Sequence, residues 1–512
     1  MVALAGMSDS IIFDVNATTS HNDELPEVVK RVVRLLLFHA KNDLSLIDAE
    51  SNGFLTIPET LLSRRAQLEA QVVSYQVALA PHRRLPPEVL CEIFMQDSSE
   101  ALKLPTRLPY LNQPLHWNVS HVCSKWRRIV LEMPGLWNGF EILYRAHRSS
   151  IIHVSTTQLV TEVLQRAPIS PITMDLYLPS FVELACHHDP VSSCVVPHAG
   201  RLKNLRIVAT SDSLKPLFTL PPGSIDALEE IDVKYWGNLL QYPITVFEGA
   251  PNLRSVSLFL ANDYWPIIDI FAFRFPWSQL VRLKLWAVNI TSSTAFVLLQ
   301  CCPSLEDCQL PTIGNGIPEP SSSLTLPNII LSSMKSLEVL YQVEPASEMG
   351  HWLEGFLFPN LITLVLGGRG WSWEPSLTHV ITSAKRLRNL EMRLAVPAAD
   401  VEAILRAGQL LETLHLSDLA VSNTMLDMVS RGMYLPRLKN LLCTVTEDNL
   451  SAHFDMIEKR RQLASVSDVE EVVFWLGTDD EMFGKEREEE FQNEGYDIRV
   501  YRRLKTRRRG AR

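Results

Sequence analysis

The chain has 512 residues, of which 46% are hydrophobic and 21% charged, so its composition excludes wholesale disorder. Its 58 acidic and 48 basic side chains give a net charge of −10, which argues against a general nucleic-acid binder. No run approaches the roughly 18 consecutive apolar residues of a membrane span, and Met1 to Val15 lacks the pattern of a secretory signal, so no membrane partner is expected. Eight cysteines are too sparse for a disulfide framework, which favours the cytoplasm or the nucleus.

Residues 1–23 are polar and irregular and are predicted to be disordered. Residues 24–80 are predicted to form helices before the next domain, because apolar side chains recur at helical spacing from Leu25 to Ala49 and again from Pro58 to Leu79. Within the second helix, apolar side chains stand seven residues apart at Leu61, Leu68 and Tyr75. This spacing fits either a short coiled coil or ordinary helix packing.

The sharpest local pattern lies in residues 81–140. The run Leu85-Pro86-Pro87-Glu88-Val89-Leu90 predicts a helix start, since proline suits a first helical turn and Glu88 complements the positive helix end. Val89, Leu90, Ile93 and Phe94 are predicted to form one apolar face. One amphipathic helix is predicted after a linker, with apolar side chains at Trp117, Val122, Trp126, Ile129, Val130 and Met133.

Residues 85–137 resemble the F-box, whose pattern is Leu-Pro-x-Glu-Ile-Leu, then Ile-Phe, then Val-Cys-x-x-Trp-Arg, here Val122 to Arg127. The start at Arg84 and the later Pro134-Gly135-Leu136-Trp137 also resemble F-box proteins common in mushroom-forming fungi. One departure is the connection from Met95 to Pro114, which is long and lacks a clear middle helix.

The resemblance implies a Skp-family adaptor as partner and, through it, a cullin. The candidate adaptor contacts are Leu85, Pro86, Ile93, Phe94, Val122, Trp126, Leu136 and Trp137. Size favours a partner as well, because a segment of about 50 residues cannot bury so many apolar side chains in a core of its own.

Residues 141–500 carry a repeated triplet of apolar positions. Two residues separate the first position from the second, and one residue separates the second from the third. Eight of the ten intervals between triplets measure 24–27 residues, and several triplets follow a proline, as in Pro251-Asn252-Leu253. The triplets begin at Leu202, Leu228, Leu253, Leu280, Leu305, Leu337, Leu361, Leu387, Leu411, Leu438 and Val469. The period resembles irregular leucine-rich repeats, which implies a strand and a helix per repeat, stacked into a solenoid. A plain α/β domain with coincidental spacing is the alternative.

The residue between the second and third apolar positions of each triplet is expected on the concave face of the sheet. These residues mix charged, polar and apolar types, which suits a protein ligand rather than a phosphate or a nucleic-acid backbone. The alternative is that they are merely solvated. The candidates for binding a target protein are Arg206, Asp232, Lys284, Tyr341, Glu391 and His415.

No catalytic motif stands out, since the chain has neither a phosphate-binding loop nor a nucleophile turn. Metal-ligand types cluster at Cys186, His187, His188, Cys194 and His198, but their spacing matches no common zinc module, so we predict no metal and no cofactor. Residues 501–512 form a basic tail, which is either a solubilising segment or a nuclear-import signal.

The predicted fold class is α/β, with an N-terminal helical F-box region followed by a leucine-rich-repeat solenoid that has a curved parallel sheet. The predicted function is non-catalytic: the chain is expected to be the substrate-recognition subunit of a cullin-based, SCF-type ubiquitin ligase. In this hypothesis the F-box binds the adaptor and the repeats bind a target protein. Two alternatives are an F-box and repeat scaffold that acts outside the ligase, and a repeat scaffold or GTPase regulator with no ligase link.

Overall fold

A computed structural model of the chain describes residues 24–51, 58–96, 101–104, 114–143, 150–178, 189–236, 243–261, 269–310, 312–314, 328–341, 351–368, 373, 375–416, 421–463, 465–476 and 484–502. The predicted disordered start, most of the predicted basic tail, and Cys186, His187 and His188 lie outside these residues. The chain divides into two compact units, Met1–Tyr177 and Leu178–Arg512, and each is described by itself.

The first unit is mainly helical. Its strands lie parallel in the order β1, β2, β3. Its helices are α1 (Glu27–Ser51), α2 (Glu59–Ala78), α3 (Pro87–Gln96), α4 (Leu115–Val119), α5 (Ser124–Leu131) and α6 (Ser150–Gln165), and its strands are β1 (Leu102–Leu104), β2 (Gly139–Leu143) and β3 (Ile172–Tyr177).

Helices α1 and α2 form an antiparallel hairpin. Val33 and Ala40 of α1 are buried with Tyr75 and Ala78 of α2, and Leu68 packs against the same cluster. At the other end, the Arg65 guanidinium lies 2.9 Å from the Asp48 carboxylate. Both predicted helices are confirmed, and packing inside this hairpin accounts for the seven-residue spacing of Leu68 and Tyr75.

The predicted second helix of the F-box-like segment is wrong as one continuous element. Helix α4 ends at Val119 and α5 begins at Ser124. The Ser120 hydroxyl donates to the Trp117 carbonyl at 2.6 Å, and the His121 ring lies 2.8 Å from the same oxygen. Side chains that hydrogen-bond to the backbone in this way compete with continuation of the helix. The spacing of apolar residues contains no sign of this competition.

The connection from Met95 to Pro114 contains a strand that the sequence pattern did not reveal. The strand, β1, pairs in register with β2, so that Leu102 stands opposite Phe140 and Leu104 opposite Ile142. All four side chains are buried. Three residues are too few for a periodic signal, which explains why this strand was missed.

The second unit alternates strands with short helices and loops. The helices are α7 (Ser211–Phe218), α8 (Ser292–Cys301), α9 (Pro375–Ser383), α10 (Ala398–Ala407), α11 (Asn423–Ser430), α12 (Glu447–Arg461) and α13 (Lys485–Asn493). The strands are β4 (Leu202–Thr210), β5 (Glu230–Trp236), β6 (Ser255–Ala261), β7 (Arg282–Trp286), β8 (Asn289–Thr291), β9 (Asp307–Leu310), β10 (Thr312–Gly314), β11 (Ile329–Ile330), β12 (Ser336–Tyr341), β13 (Phe356–Leu357), β14 (Thr363–Gly368), β15 (Asn389–Arg393), β16 (Thr413–Leu416), β17 (Asn440–Val445), β18 (Glu471–Leu476) and β19 (Asp497–Arg502).

Twelve of these strands form one parallel sheet in which spatial order follows chain order. The order is β4-β5-β6-β7-β9-β12-β14-β15-β16-β17-β18-β19; β8 pairs with β10 and β11 with β13 in two small side sheets. Neighbour-to-neighbour stacking of this kind is the architecture of a repeat protein. The predicted α/β class, with N-terminal helices followed by a long parallel sheet, is confirmed.

The apolar triplets supply the core of the sheet. In β4 the second and third positions of the triplet, Leu205 and Ile207, are buried and stand opposite Ile231 and Val233 of β5. The last strand of the sheet, β19, buries Ile498 and Val500.

The triplet assigned to Leu337 is wrong by three residues. Leu337 pairs with Cys308 and Leu364, which are second positions of their own triplets, so the triplet here starts at Met334 and continues through Leu337 to Val339. All three side chains are fully buried. The intervals on either side become 29 and 27 residues instead of 32 and 24, and the polar Gln342 no longer has to occupy a core position.

Asparagines of the Pro-Asn-Leu motifs bind the preceding repeat. The Asn252 side-chain amide donates to the Asp226 carbonyl at 2.9 Å, and that of Asn360 donates to the Ser332 carbonyl at 2.8 Å. These loop carbonyls have no strand partner there, so an amide side chain satisfies them. The motif is therefore a connection between repeats.

The outer edge of β19 is covered by side chains of α13. Gln492 donates to the Ile498 carbonyl at 2.7 Å, and the Val500 amide donates to the Glu488 carboxylate at 2.8 Å. Arg502 binds the Val500 carbonyl at 2.9 Å and pairs with Glu488 at 2.8 Å. Backbone N–H and C=O groups that an edge strand would leave unpaired therefore have hydrogen-bond partners here.

Candidate functional site

Helix α3 of the F-box-like segment divides its apolar side chains between two faces. Leu90 and Phe94 are only 1% and 3% exposed, whereas Val89 and Ile93 are 42% and 45% exposed. Pro86 is exposed as well, and the spacing of Pro86, Val89 and Ile93 places them along one side of the helix. The expectation of a single apolar face is therefore corrected: one half packs inward and the other half faces solvent.

Helix α5 packs beside α3. The Trp126 ring meets the Phe94 ring edge-on, with centroids 5.4 Å apart, and the Lys125 ammonium donates to the Leu85 carbonyl at 3.3 Å. Just before α5, Val122 is 58% exposed. We call Pro86, Val89, Ile93 and Val122 the outward apolar set.

The eight predicted adaptor contacts occupy three environments. Pro86, Ile93 and Val122 face solvent, Leu85 and Trp126 are half-buried, and Phe94, Leu136 and Trp137 are buried within this chain. Val89 was not among the predicted contacts, although its spacing from Pro86 and Ile93 could have indicated it. The buried three support the helices that carry the outward apolar set.

Trp137 lies at the centre of this packing. Its indole N–H donates to the Val130 carbonyl at 2.8 Å, the His116 ring meets it edge-on at 5.1 Å, and the Arg166 guanidinium lies 4.6 Å from its ring centre. Trp137 is 1% exposed. The indole therefore joins α4, α5 and the segment after α6.

His116 is a buried base without hydrogen-bond partners. It is 3% exposed, and neither ring nitrogen has a partner among the described residues. Burial lowers its pKa to about 4, because the charged imidazolium would lose its hydration. The folded first unit therefore holds His116 neutral.

We expect acid to destabilise the first unit through His116. The folded pKa lies below the ordinary 6.5. The contribution of neutral His116 to the free energy of unfolding is therefore fully present above pH 6.5 and is lost as the pH falls towards 4. Between pH 7 and pH 4, the free energy of unfolding should fall by about 2–3 kcal/mol less in the variant His116→Phe than in the parent. Urea unfolding at several pH values measures this difference. Equal pH dependence in His116→Phe and the parent would refute the assignment.

In the second unit, the residues between buried triplet positions form a row across the sheet face opposite the buried core, which we call the open face. With the corrected register, Glu338 takes the position predicted for Tyr341, which instead stands opposite Gly368. For Tyr341 the structure describes the backbone only. The row contains Arg206, Asp232, Ser257, Lys284, Gln309, Glu338, Val365, Glu391, His415, Leu442, Val473 and Arg499.

Several predicted target contacts pair across neighbouring strands. The Arg206 guanidinium lies 3.0 Å from the Asp232 carboxylate, which also accepts from the Ser257 hydroxyl at 3.1 Å. Lys284 lies 3.4 Å from Asp307. These half-exposed pairs contribute little stability, and they place charges of both signs on the open face.

Glu391 is the most strongly held carboxylate of the row. Its carboxylate lies 2.7 Å from the His415 ring and 2.6 Å from the Arg393 guanidinium. The hydrogen bond from His415 and then that from Arg393 lower the pKa of Glu391 to about 2. Glu338 nearby has a raised pKa, chiefly because partial burial disfavours its charged form. The structure therefore brings two predicted contacts, Glu391 and His415, into one cluster.

Aromatic rings stack at the carboxyl-terminal strands of the open face. His415 stacks on Trp475 with centroids 5.1 Å apart, and Trp475 stacks on Tyr501 at 6.4 Å. Tyr501 is 51% exposed. The prediction included His415 but missed both neighbours, because it considered only the residue inside each triplet. The residue two positions further along each strand would have indicated them.

Other site types find no support in the described residues. Within the described ranges, no group of three or more His, Cys, Asp or Glu side chains lies close enough together to hold a metal ion. Among the helices that the structure describes, none combines the length and apolar character needed to cross a membrane.

No family model matches the chain, and no curated protein matches it. One similar solved structure is the complex of TLR13 with ssRNA13, at 12% sequence identity and a TM-score of 0.27. The match covers 72% of this chain and 62% of that chain, so the chain spans less than two thirds of its neighbour. A TM-score this low carries no argument about function. By its own geometry, the chain contains a helical unit with an outward apolar set and an array of parallel strands that stack in chain order.

Proposed function

We propose that the chain is the substrate-recognition subunit of a cullin-based ubiquitin ligase. The F-box-like segment binds a Skp-family adaptor through the outward apolar set, and the open face of the repeats binds a target protein. The chain itself performs no chemistry. The ligase gains rate because the target is held beside a charged ubiquitin-conjugating enzyme.

One observation carries the proposal: in the segment that resembles the F-box, α3 still exposes Val89 and Ile93 after Leu90 and Phe94 have been enclosed. Large apolar side chains aligned on one helix face, with Val122 on the neighbouring element, are typical of a docking surface. Their positions fall within the residues that carry the resemblance.

The open face supports the second part of the proposal. It combines charged pairs with exposed aromatic side chains, such as Trp286 at 41% and Tyr501 at 51% exposure. Protein interfaces are enriched in tryptophan, tyrosine and arginine, and their charged residues set specificity. Arg206, Asp232, Lys284, Glu391 and His415 are the predicted contacts that lie on this face, with Glu338 added by the corrected register.

We expect the double variant Ile93→Asp with Val122→Asp to reduce adaptor co-purification at least tenfold. Both side chains are largely exposed, so charge should abolish apolar docking without unfolding the unit. Retention of adaptor is measured by quantitative pull-down, and circular dichroism verifies the fold. The matched control is Ile169→Asp, which changes a residue of the same unit that is 90% exposed.

Two results would oppose the proposal. Wild-type adaptor retention by the double variant would place the adaptor surface elsewhere. Adaptor binding without cullin in the same complex would favour a scaffold that acts outside the ligase. The same pull-down resolves both, because adaptor and cullin are quantified together.

A further inference from the structure

Helix α1 exposes a second apolar stripe that the hairpin does not use. Val28, Leu35 and Leu46 are 75%, 59% and 68% exposed, and Phe38 beside them is 62% exposed. Val28, Leu35 and Leu46 are separated by 7 and 11 residues, which is about two and three helical turns, so they lie along one line. Val33 and Ala40, by contrast, face α2 and are buried. A helix with apolar residues on two faces indicates a second packing partner.

The stripe is nearly symmetric about the middle of the helix. Val28 and Leu46 each lie nine residues from Leu37, and Leu35 and Phe38 lie close to it on either side. Two copies of α1 placed antiparallel, with the twofold axis crossing the stripe at the level of Leu37, would set Val28 opposite Leu46 and Leu35 close to Phe38. An isologous interface requires this kind of self-complementary pattern.

The charges of α1 favour the same arrangement. From Glu27 to Lys41 the helix has one carboxylate and four basic side chains, a net charge of +3, and from Asn42 to Ser51 it has three carboxylates and no basic side chain, a net charge of −3. Antiparallel copies bring the basic half of one helix next to the acidic half of the other, whereas parallel copies bring like charges together. Partners within the chain, such as Glu27 with Arg34 and Asp48 with Arg65, leave Arg31 and Asp43 without an ion pair among the described residues.

We infer that this stripe binds a second copy of the chain, with the two α1 helices antiparallel. The four apolar side chains and the polar ones between them supply an area on the order of 600 Å² per copy, near the lower limit of specific interfaces. The dimer is therefore weak and concentration-dependent. It would place two repeat arrays in one assembly, so that a target with two binding segments gains avidity. The inference does not depend on the adaptor.

Sedimentation equilibrium of the full chain tests the dimer. We expect the molar mass to rise from one copy to two across the micromolar range, and Leu35→Glu to weaken association at least tenfold. Leu62→Glu is the matched control, because Leu62 lies on α2 and is 46% exposed. A parent chain that remains monomeric throughout, or a Leu35→Glu variant that dimerises like the parent, would overturn the inference.

Disulfide trapping tests the orientation. A mixture of Val28→Cys and Leu46→Cys chains should form a covalent dimer under mild oxidation, since facing helix positions come within disulfide reach. Val28→Cys alone should give no more dimer than the parent with its eight native cysteines. Efficient trapping of Val28→Cys with itself would indicate parallel helices and overturn the antiparallel arrangement.

Discussion

Replacing Arg460 with alanine is expected to destabilise the second unit by about 3–4 kcal/mol. Arg460 lies on α12 and is 1% exposed, yet no carboxylate lies within ion-pair distance of it among the described residues. Its guanidinium donates to the carbonyls of Val429 at 2.7 Å, Leu435 at 3.1 Å and Ser467 at 3.1 Å. Removing the guanidinium would take the donor from the Ser467 carbonyl, leave the Val429 and Leu435 carbonyls with only their backbone donors, and create a cavity where the side chain was.

The bonds of Arg460 connect three segments. Val429 lies in the last turn of α11, Leu435 lies in the loop that follows, and Ser467 precedes β18. Leu435 has a φ of 51°, a left-handed conformation that non-glycine residues rarely adopt, so the surroundings must hold the loop in place. Burial lowers the pKa of Arg460 to about 10, and the guanidinium remains charged at neutral pH.

Urea unfolding of the full chain measures the loss, and hydrogen exchange of α12 amides localises it. The neighbouring Arg461 is the matched control: it pairs with Glu494 at 2.7 Å on the surface, so Arg461→Ala should cost less than about 1 kcal/mol. Arg460→Lys should give an intermediate loss, because an ammonium reaches fewer of the carbonyls. If Arg460→Ala and Arg461→Ala proved equally mild, the structural role assigned to the buried guanidinium would be incorrect.

Replacing Trp137 with alanine should destabilise the first unit by about 3–5 kcal/mol. The change removes a buried ring that packs on His116 and Arg166, together with the N–H bond to the Val130 carbonyl. Trp137→Phe keeps an aromatic ring but loses the bond, and should cost about 1–2 kcal/mol.

The same variants separate packing from docking. If Trp137 acts only through packing, Trp137→Ala should lower adaptor retention in proportion to the unfolded fraction, and cooling should restore it. Ile93→Asp should lower retention at every temperature while the unit stays folded. Full retention by a fully folded Trp137→Ala would show that the indole supports neither the fold nor the contact. Loss of retention by a fully folded Trp137→Ala would instead assign the indole to the contact itself.

Much of the fold could be predicted because its signals are local. The hairpin helices follow from the 3.6-residue periodicity, and most repeat strands follow from triplets whose apolar positions pair with each other across the sheet. The triplet at Leu337 shows the limit. Met334, Leu337 and Leu340 are three residues apart, so a triplet that starts at Met334 and one that starts at Leu337 both have two apolar first positions, and they differ only in the third, Val339 or Gln342. The pairing of Leu337 with Cys308 and Leu364 establishes the register that starts at Met334.

The candidate site was less predictable, because exposure depends on neighbours far along the chain. Ile93 and Phe94 are neighbours in one apolar run, but Phe94 is buried against Trp126 of α5 whereas Ile93 is exposed to solvent. Likewise, Trp475 reaches His415 across the intervening strand β17. No spacing rule within one repeat contains that contact. The adaptor, the cullin and the target remain predictions.

The side chains that cover β19 also limit how the array could have lengthened. Tandem duplication of a repeat beyond β19 would require a new strand at the groups now bound by Glu488 and Gln492. Such an insertion would first have to displace the Glu488–Arg502 pair, in which both side chains are only 13% exposed. A repeat added at this edge, by duplication or by engineering, should therefore be tolerated less well than one inserted between existing repeats.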